Sequence, residues 1–506
     1  MMEPVLYIHP AKQGVHFEVE EGSGRAYGLL PVGAAALVNR LRREGIGVRG
    51  LNYAMEKALR PGFSLRDWLA NRQGVRIILV DLHWYEHCYG ALEMVEFCKE
   101  TLPWAWTVIG GLTASGFAQE ILENFPAVDV IIRGDAEQPL LALAQRLLRS
   151  GRRAGGELPD LQGIPNLSYR REGKVVHAAE VYVAATADLD ELDFVHLDFM
   201  DNERDYLRHE YLVADLEKTQ QALASQPYLG RWICNARGCI YHCSYCGGSK
   251  DAHKRLASRP GLVTRSPKRM ADDLKALQAM GVHQAAFSYD LAELGEAYWR
   301  ELFDEMRRQG VKIGIYNEFF QSPDAAFIAE LARAADMEHT CVALSPLSGN
   351  ERVRRLNGKH YSNERFFDVL EALNEHNFYI FVYFSLNLPG ESEETFQQTL
   401  ELAEQVYDFY PSRLLKILDT VHTLDPFSPM MLSPEKYGIE ISMRTFMDWY
   451  AYCQNTMKGS REARTEAWRG FTLKDSQARR LRQMADAWDA ARVGKERSWW
   501  LVPPSW

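Results

Sequence analysis

Positive charge is in short supply: 58 Lys and Arg stand against 68 Asp and Glu, a formal net charge of −10. A protein that neutralises phosphates needs an excess of Lys and Arg on at least one face, so the balance argues against a nucleic-acid partner. Long apolar runs are also missing, none approaching the roughly 20 residues that cross a bilayer. The opening Met1-Met2-Glu3-Pro4-Val5 lacks the basic and apolar regions of a secretory signal, and a cytoplasmic protein is expected. Internal repeats and low-complexity tracts are absent, which excludes fibrous and disordered classes. Cysteine is sparse, 8 in 506 residues, too few for a disulfide scaffold. What remains is an ordinary folded composition, 46% hydrophobic and 25% charged, on a chain longer than one hydrophobic core usually serves.

The first 150 residues alternate apolar strands with helices. Strands are expected near Val5 to Ile8, Val48 to Tyr53, Arg76 to Val80, Trp106 to Ile109 and Val128 to Ile132. Near-continuous apolar strands separated by helices predict a doubly wound parallel sheet, whose ligands bind beyond the carboxyl ends of the strands. Those ends carry His9-Pro10, Asp81-Leu82-His83-Trp84, Gly110-Gly111-Leu112-Thr113 and Gly134-Asp135. Residues 151–229 are more polar and read as a connector with a small hairpin near Leu167 to Val176. A second alternating series begins at Arg231. Strands are expected at Ala285 to Ser288, Val311 to Tyr316, Cys341 to Leu344 and Tyr379 to Leu386, with helices near 267–280, 295–309, 324–335, 363–376 and 392–409. Such βα units build an open sheet or a closed or partly closed barrel, with its chemistry at the C-terminal ends of the strands. The region from 431 to 506 reads as a mostly helical extension; Trp499, Trp500 and Trp506 are expected to pack rather than to bind.

Four of the eight cysteines, Cys234, Cys239, Cys243 and Cys246, fall close together. Cys239-Ile240-Tyr241-His242-Cys243-Ser244-Tyr245-Cys246 is a C-x3-C-x2-C pattern. Three thiolates on one tight loop can ligate three irons of a [4Fe–4S] cube and leave the fourth open to chelate a small molecule and pass it an electron. The competing assignments are a zinc site completed by Cys234 or His242, or a chance cluster of buried thiols. Cys234 is expected to be inert.

Asn235-Ala236-Arg237-Gly238-Cys239, running on to Cys246, resembles the cluster loop of radical S-adenosylmethionine (SAM) enzymes. Further segments match in order. Arg265-Ser266-Pro267 resembles the superfamily's R-S-P turn, Asn387-Leu388-Pro389-Gly390-Glu391-Ser392 its GLPGET strand end, and Pro426-Phe427-Ser428-Pro429 its late PGTP segment. Leu30-Pro31, Gly110-Gly111 and Gly134-Asp135-Ala136-Glu137 are similar to the cobalamin-binding domain that precedes the barrel in class B members. The resemblance spans about residues 1–450. It implies a Rossmann-like cobalamin domain over 1–150, a connector over 151–229, a partial (β/α)6 radical SAM barrel over 230–430 and the extension over 431–506. It also implies three cofactors: a [4Fe–4S] cluster on Cys239, Cys243 and Cys246, SAM, and cobalamin. In such enzymes reduction of cluster-bound SAM yields a 5′-deoxyadenosyl radical that takes a hydrogen from the substrate, and in the cobalamin-dependent methylases a methyl group then reaches the substrate by way of the corrinoid. An external electron donor such as flavodoxin or ferredoxin follows.

For SAM the resemblance singles out Gly247, Gly248 and Ser249 after the cluster, Ser288 and Asp290 where a GGE strand end is usual, Asn317 and Glu318 for the ribose, and Ser345 with Ser348 after the next strand. The glycines usual at the second strand end are missing here. Each of these polar residues is equally suited to cap the following helix. For cobalamin it singles out Leu30, Pro31, His83, Trp84, Gly110, Gly111, Leu112, Thr113, Gly134, Asp135 and Glu137. The D-x-H-x-x-G motif of free-standing corrinoid domains is absent after the first strand, so no lower axial histidine is assigned. Tyr316 and Tyr383 are expected in the core more than in a substrate cavity. The function expected is methylation of an unactivated carbon in a small metabolite, lipid or peptide, with radical cyclisation or rearrangement as the alternative.

Overall fold

The computed structural model describes residues 3–17, 29–60, 62–150, 157–212, 227–458, 470–473, 479–496 and 498–501. Two seven-stranded sheets organise it. In the first, β1 (Val5–His9), β2 (Val48–Asn52), β3 (Ile77–Asp81), β4 (Trp106–Gly110) and β5 (Val130–Ile132) run parallel in the order β2-β1-β3-β4-β5. β1 and β3 are buried along all five of their residues because helices cover both faces, which is why their sequences are continuous apolar runs rather than alternating ones. The strand order reverses between β1 and β3, and a crevice opens at such a switch point.

The hairpin expected in the connector forms as β6 (Leu167–Arg171) and β7 (Lys174–His177). It adds antiparallel to the β5 edge, so part of the segment set aside as connector completes the first sheet. A fully buried Arg231–Glu210 ion pair at 3.0 Å, with Arg231 Nε donating to Phe194 O, ties the rest of that segment to the second half of the chain.

The second sheet takes β8 (Gly230–Ile233), β9 (Gln284–Phe287), β10 (Gly314–Phe319), β11 (Cys341–Leu347), β12 (Tyr379–Leu386) and β13 (Leu415–Val421) side by side in chain order, all parallel. This is the expected six-stranded partial barrel, and β14 (Trp499–Leu501) adds a seventh parallel strand beside β13. The helices between strands start at side-chain caps: Ser266, Ser362 and Ser392 accept from the backbone N–H groups of Arg269, Arg365 and Thr395. Each such cap contributes about 1 kcal/mol. Ala286, Tyr316, Cys341, Ala343, Phe381 and Leu418 form a separate inner cluster with Tyr383 packed against it, which places both tyrosines inside the barrel.

Beyond residue 430 the chain is not purely helical. Helices Phe446–Lys458 and Arg479–Ala491 are joined by β14 and by an antiparallel pairing of Ile439–Ile441 with Phe471–Leu473. The first of these helices reaches back to the opening sheet, with Trp449 fully buried 5.3 Å from Phe117 and Tyr450 5.6 Å from Tyr89. Trp499 packs on Trp488 at 4.9 Å, the packing role expected of it. Trp506 and the Trp500 side chain lie outside the described residues.

Candidate active site

The three cysteines share a loop held from behind. Cys239, Cys243 and Cys246 are each partly exposed, and the backbone N–H groups of Tyr241 and Gly248 point at the sulfurs of Cys239 (3.4 Å) and Cys246 (3.3 Å). Donors aimed at sulfur stabilise thiolate ligands. Burial pushes all three thiols up, so without a cluster they carry protons. The loop that follows helix Glu351–Leu356 backs them. Ser244 donates to Asn357, whose Nδ2 donates onward to Pro389 O at 3.0 Å, tying the cluster loop to the Leu388-Pro389-Gly390-Glu391 strand end. Gly358, at φ 94°, lies so close to Cys243 that a Cβ would meet its Cα at 2.7 Å.

Among the described residues no three His, Cys, Asp or Glu side chains converge on one metal ion. Both candidate fourth ligands are engaged elsewhere: Cys234 donates to Ala236 O, and His242 Nδ1 pairs with Asp251 at 2.6 Å. The thiol set fits three corners of a cubane better than a zinc site.

The loop opens onto a cavity of about 640 Å³ between the halves of the chain. Cys246, Gly247, Gly248 and Ser288 line one side. The other side is the C-terminal edge of the first sheet: Leu30 and Pro31 before the first helix, His83 and Trp84 after β3, Gly110, Gly111, Leu112 and Thr113 after β4, and Gly134, Asp135 and Glu137 after β5. All the residues expected to face cobalamin thus border one space, of ordinary ligand-pocket size and with a largely apolar lining. Small strand-end residues and exposed Trp84, 38% accessible, suit a large flat ligand. Gly111, at φ 124°, is required by the turn itself, since a Cβ would lie 2.5 Å from Leu82 O. Burial pushes His83 down to about 4, so it faces the cavity as a neutral imidazole. An Asp–His pair does assemble at the switch point, with His9 Nδ1 2.9 Å from Asp81 Oδ1 and Tyr7 OH donating to the same oxygen. His9 is fully buried and absent from the cavity wall, and the pair braces β1 against β3.

The remaining SAM candidates lie elsewhere. Asp290 and Asn317 are turned on each other: Asp290 accepts from Asn317 Nδ2 (3.0 Å), Ala292 N (3.0 Å) and Phe320 N (2.7 Å), while Asn317 accepts from Leu291 N. Burial still pushes the Asp290 carboxyl up to about 7. The pair stitches the ends of β9 and β10 together. Ser249 caps helix Lys250–Ala257, accepting from Ala252 N, and buried Ser348 shares a hydrogen with Thr399. Glu318 is exposed and accepts from Tyr316 OH at 2.8 Å; neither it nor Ser345 borders the cavity.

Several further residues beside the cluster loop were not singled out as site residues. Asp425 accepts from Gly247 N at 3.0 Å, and burial with Glu86 nearby pushes it up to about 7. Lys359, 5% exposed, donates to Phe320 O beside the cluster loop. Arg237 pairs with Asp135 (2.9 Å) and Glu137 (2.6 Å). Against burial, Arg237 and Arg259 hold Asp135 below the usual carboxylate range. Arg237 was visible in the motif preceding Cys239; Asp425 and Lys359 carry no local signal. Arg265, from the R-S-P turn, is fully buried, paired with Asp273 and donating to Leu192 O, a structural post.

Residues 236–403 match the radical SAM superfamily model. Over 183 residues the chain is 27% identical to the tRNA-2-methylthio-N(6)-dimethylallyladenosine synthase of Bifidobacterium adolescentis, covering 34% of this chain and 37% of that protein. Over 352 residues it is 22% identical to the anaerobic magnesium-protoporphyrin IX monomethyl ester cyclase of Cereibacter sphaeroides, covering 68% of this chain and 50% of that one. The chain thus spans half or less of the length of these curated relatives. Among solved structures, the radical SAM methyltransferase TsrM of Kitasatospora setae superposes with a TM-score of 0.61 at 17% identity, over 87% of this chain and 78% of that one. The cobalamin-dependent radical SAM enzyme OxsB superposes with a TM-score of 0.53 at 13% identity, over 90% and 56%. The chain therefore carries a radical SAM domain, set within the two-sheet fold that TsrM and OxsB share.

Proposed function

We propose that the chain is a cobalamin-dependent radical SAM enzyme that methylates an unactivated carbon of a small metabolite, lipid or peptide. The observation that carries this is one shared cavity: Cys246 and Gly247-Gly248 line one wall and the strand ends of the first sheet the other, so groups bound on the two walls occupy one space. When bound, the cluster supplies the electron that cleaves SAM and the cobalamin supplies the methyl group. The protein holds the thiols with backbone donors, keeps His83 neutral against the corrin side, and closes the seam with the Phe117, Trp449 and Phe427 aromatics. Residues 1–150 with the hairpin 167–177 serve as the cobalamin-binding unit, 230–430 as the radical SAM unit and 431–506 as the brace. A cytoplasmic flavodoxin or ferredoxin is the proposed electron donor.

Ring closure in place of methyl transfer is the second proposal, favoured by the cyclase likeness over 68% of the chain. Incubating anaerobic, cluster-loaded protein with SAM and dithionite tests the radical branch: 5′-deoxyadenosine is expected, and its absence alongside a full cluster counts against it. With substrate, product heavier by CH2, a methyl in place of a hydrogen, supports methylation; product lighter by two hydrogens supports ring closure.

A further inference from the structure

Asp135 borders the cavity beyond β5, and its carboxylate is paired with the other half of the molecule. It is 3% exposed at the side chain. Oδ1 accepts from Arg237 Nη1 at 2.9 Å; Oδ2 pairs with Arg259 Nη2 and accepts from Ala184 N at 2.8 Å. Its carbonyl accepts from Asn166 Nδ2 at 2.8 Å, which anchors the aspartate in the first sheet and its hairpin. The two arginines flank the cluster loop on opposite sides. Arg237 lies two residues before Cys239, and Arg259 follows helix Lys250–Ala257, which leaves the loop after Cys246. All three cysteines therefore sit between two chain points pinned to one carboxylate. Arg259 also donates to Ala184 O at 3.0 Å, and Arg237 reaches Glu137 as well, so two cations are balanced by two carboxylates in a mostly buried knot.

We infer that Asp135 is a positioning residue for the iron–sulfur cluster, supplied by the corrinoid-side sheet: it holds both flanks of the cluster loop and sets the charge around the cluster. This rests on the proposed cluster ligation. A removed counter-charge acts on a nearby redox centre through the field, and a cluster becomes easier to reduce as its surroundings become more positive. Asp135→Asn leaves Arg237 and Arg259 under-compensated and should raise the cluster's reduction equilibrium constant on the order of tenfold, 59 mV for one electron. Arg259→Gln removes a cation and should shift it in the opposite direction. Asp135→Glu keeps the charge and should recover most of the wild-type potential. A merely loosened loop would move the first two variants the same way.

The test is anaerobic reconstitution of the full chain, iron counted per chain, then redox titration followed by electron paramagnetic resonance. Opposite shifts in Asp135→Asn and Arg259→Gln, with iron retained, support the inference. Unmoved potentials, or shifts of one sign, in variants with full clusters overturn it alone. Should Asp135→Asn fail to fold, Arg259→Gln decides against wild type: a lowered potential, with Asp135→Glu near wild type, supports the inference, and an unmoved or raised one overturns it. A wild-type chain that binds no iron overturns the ligation and this inference together.

Discussion

Gly358 owes its identity to a neighbour. A Cβ there would lie 2.7 Å from Cys243 Cα and 3.0 Å from its sulfur, and its φ of 94° is one that side chains rarely adopt. Gly358→Ala is therefore expected to displace the middle cluster cysteine and reduce bound iron to roughly half or less while leaving overall secondary structure intact. Iron analysis beside far-UV circular dichroism checks this, and wild-type iron content would contradict it. His83 yields a pH prediction. Its imidazole is held down to about 4 from an ordinary 6.5 by burial. The unfolded chain then takes up the proton before the folded one does, so stability is lost as pH falls from 6.5 towards 4, by at most about 3 kcal/mol. His83→Gln should flatten that part of the denaturation-versus-pH curve; an unchanged slope would show that His83 is solvated.

Elements carry the second level. Helix Arg479–Ala491 buries Trp488 completely, 5.8 Å from Phe384 on β12 and 4.9 Å from Trp499 on β14. Trp488→Ala should cost about 3–5 kcal/mol and detach β14 from β13, measured by urea denaturation; a loss below about 1 kcal/mol would mean the seventh strand is not held by this contact. The regular βα units were legible because their signals are local: apolar runs for buried strands, serine caps and glycine stops for helices. β14 was not, since its pairing with β13 joins residues some eighty positions apart and the sequence between reads as helix. The same divide runs through the site. Cys239, Cys243 and Cys246 declare themselves by spacing within one loop. A polar strand end such as Asp290 or Asn317 is the same in sequence whether it meets a ligand or a neighbouring strand; the hydrogen bond between these two needed coordinates. Asp135 with Arg237 spans 102 positions and needed coordinates.

At the scale of the whole molecule the two sheets act as one site. Neither wall of the cavity is complete alone, and helix Phe446–Lys458, the Asp425 to Phe427 segment and the Asp135 knot all cross the seam. The scarcity of cysteine is thereby given its meaning, three of eight being committed to a loop that faces the second wall. The proposed function requires the two walls to hold two different cofactors at once. The most direct measurement is the stoichiometry of anaerobically reconstituted chain incubated with hydroxocobalamin and desalted: iron by chemical assay and corrinoid by absorbance, against protein concentration. About four irons and one cobalamin per chain are expected, since a [4Fe–4S] cube and a corrinoid occupy separate walls. A full cluster with no retained corrinoid absorbance would contradict the account.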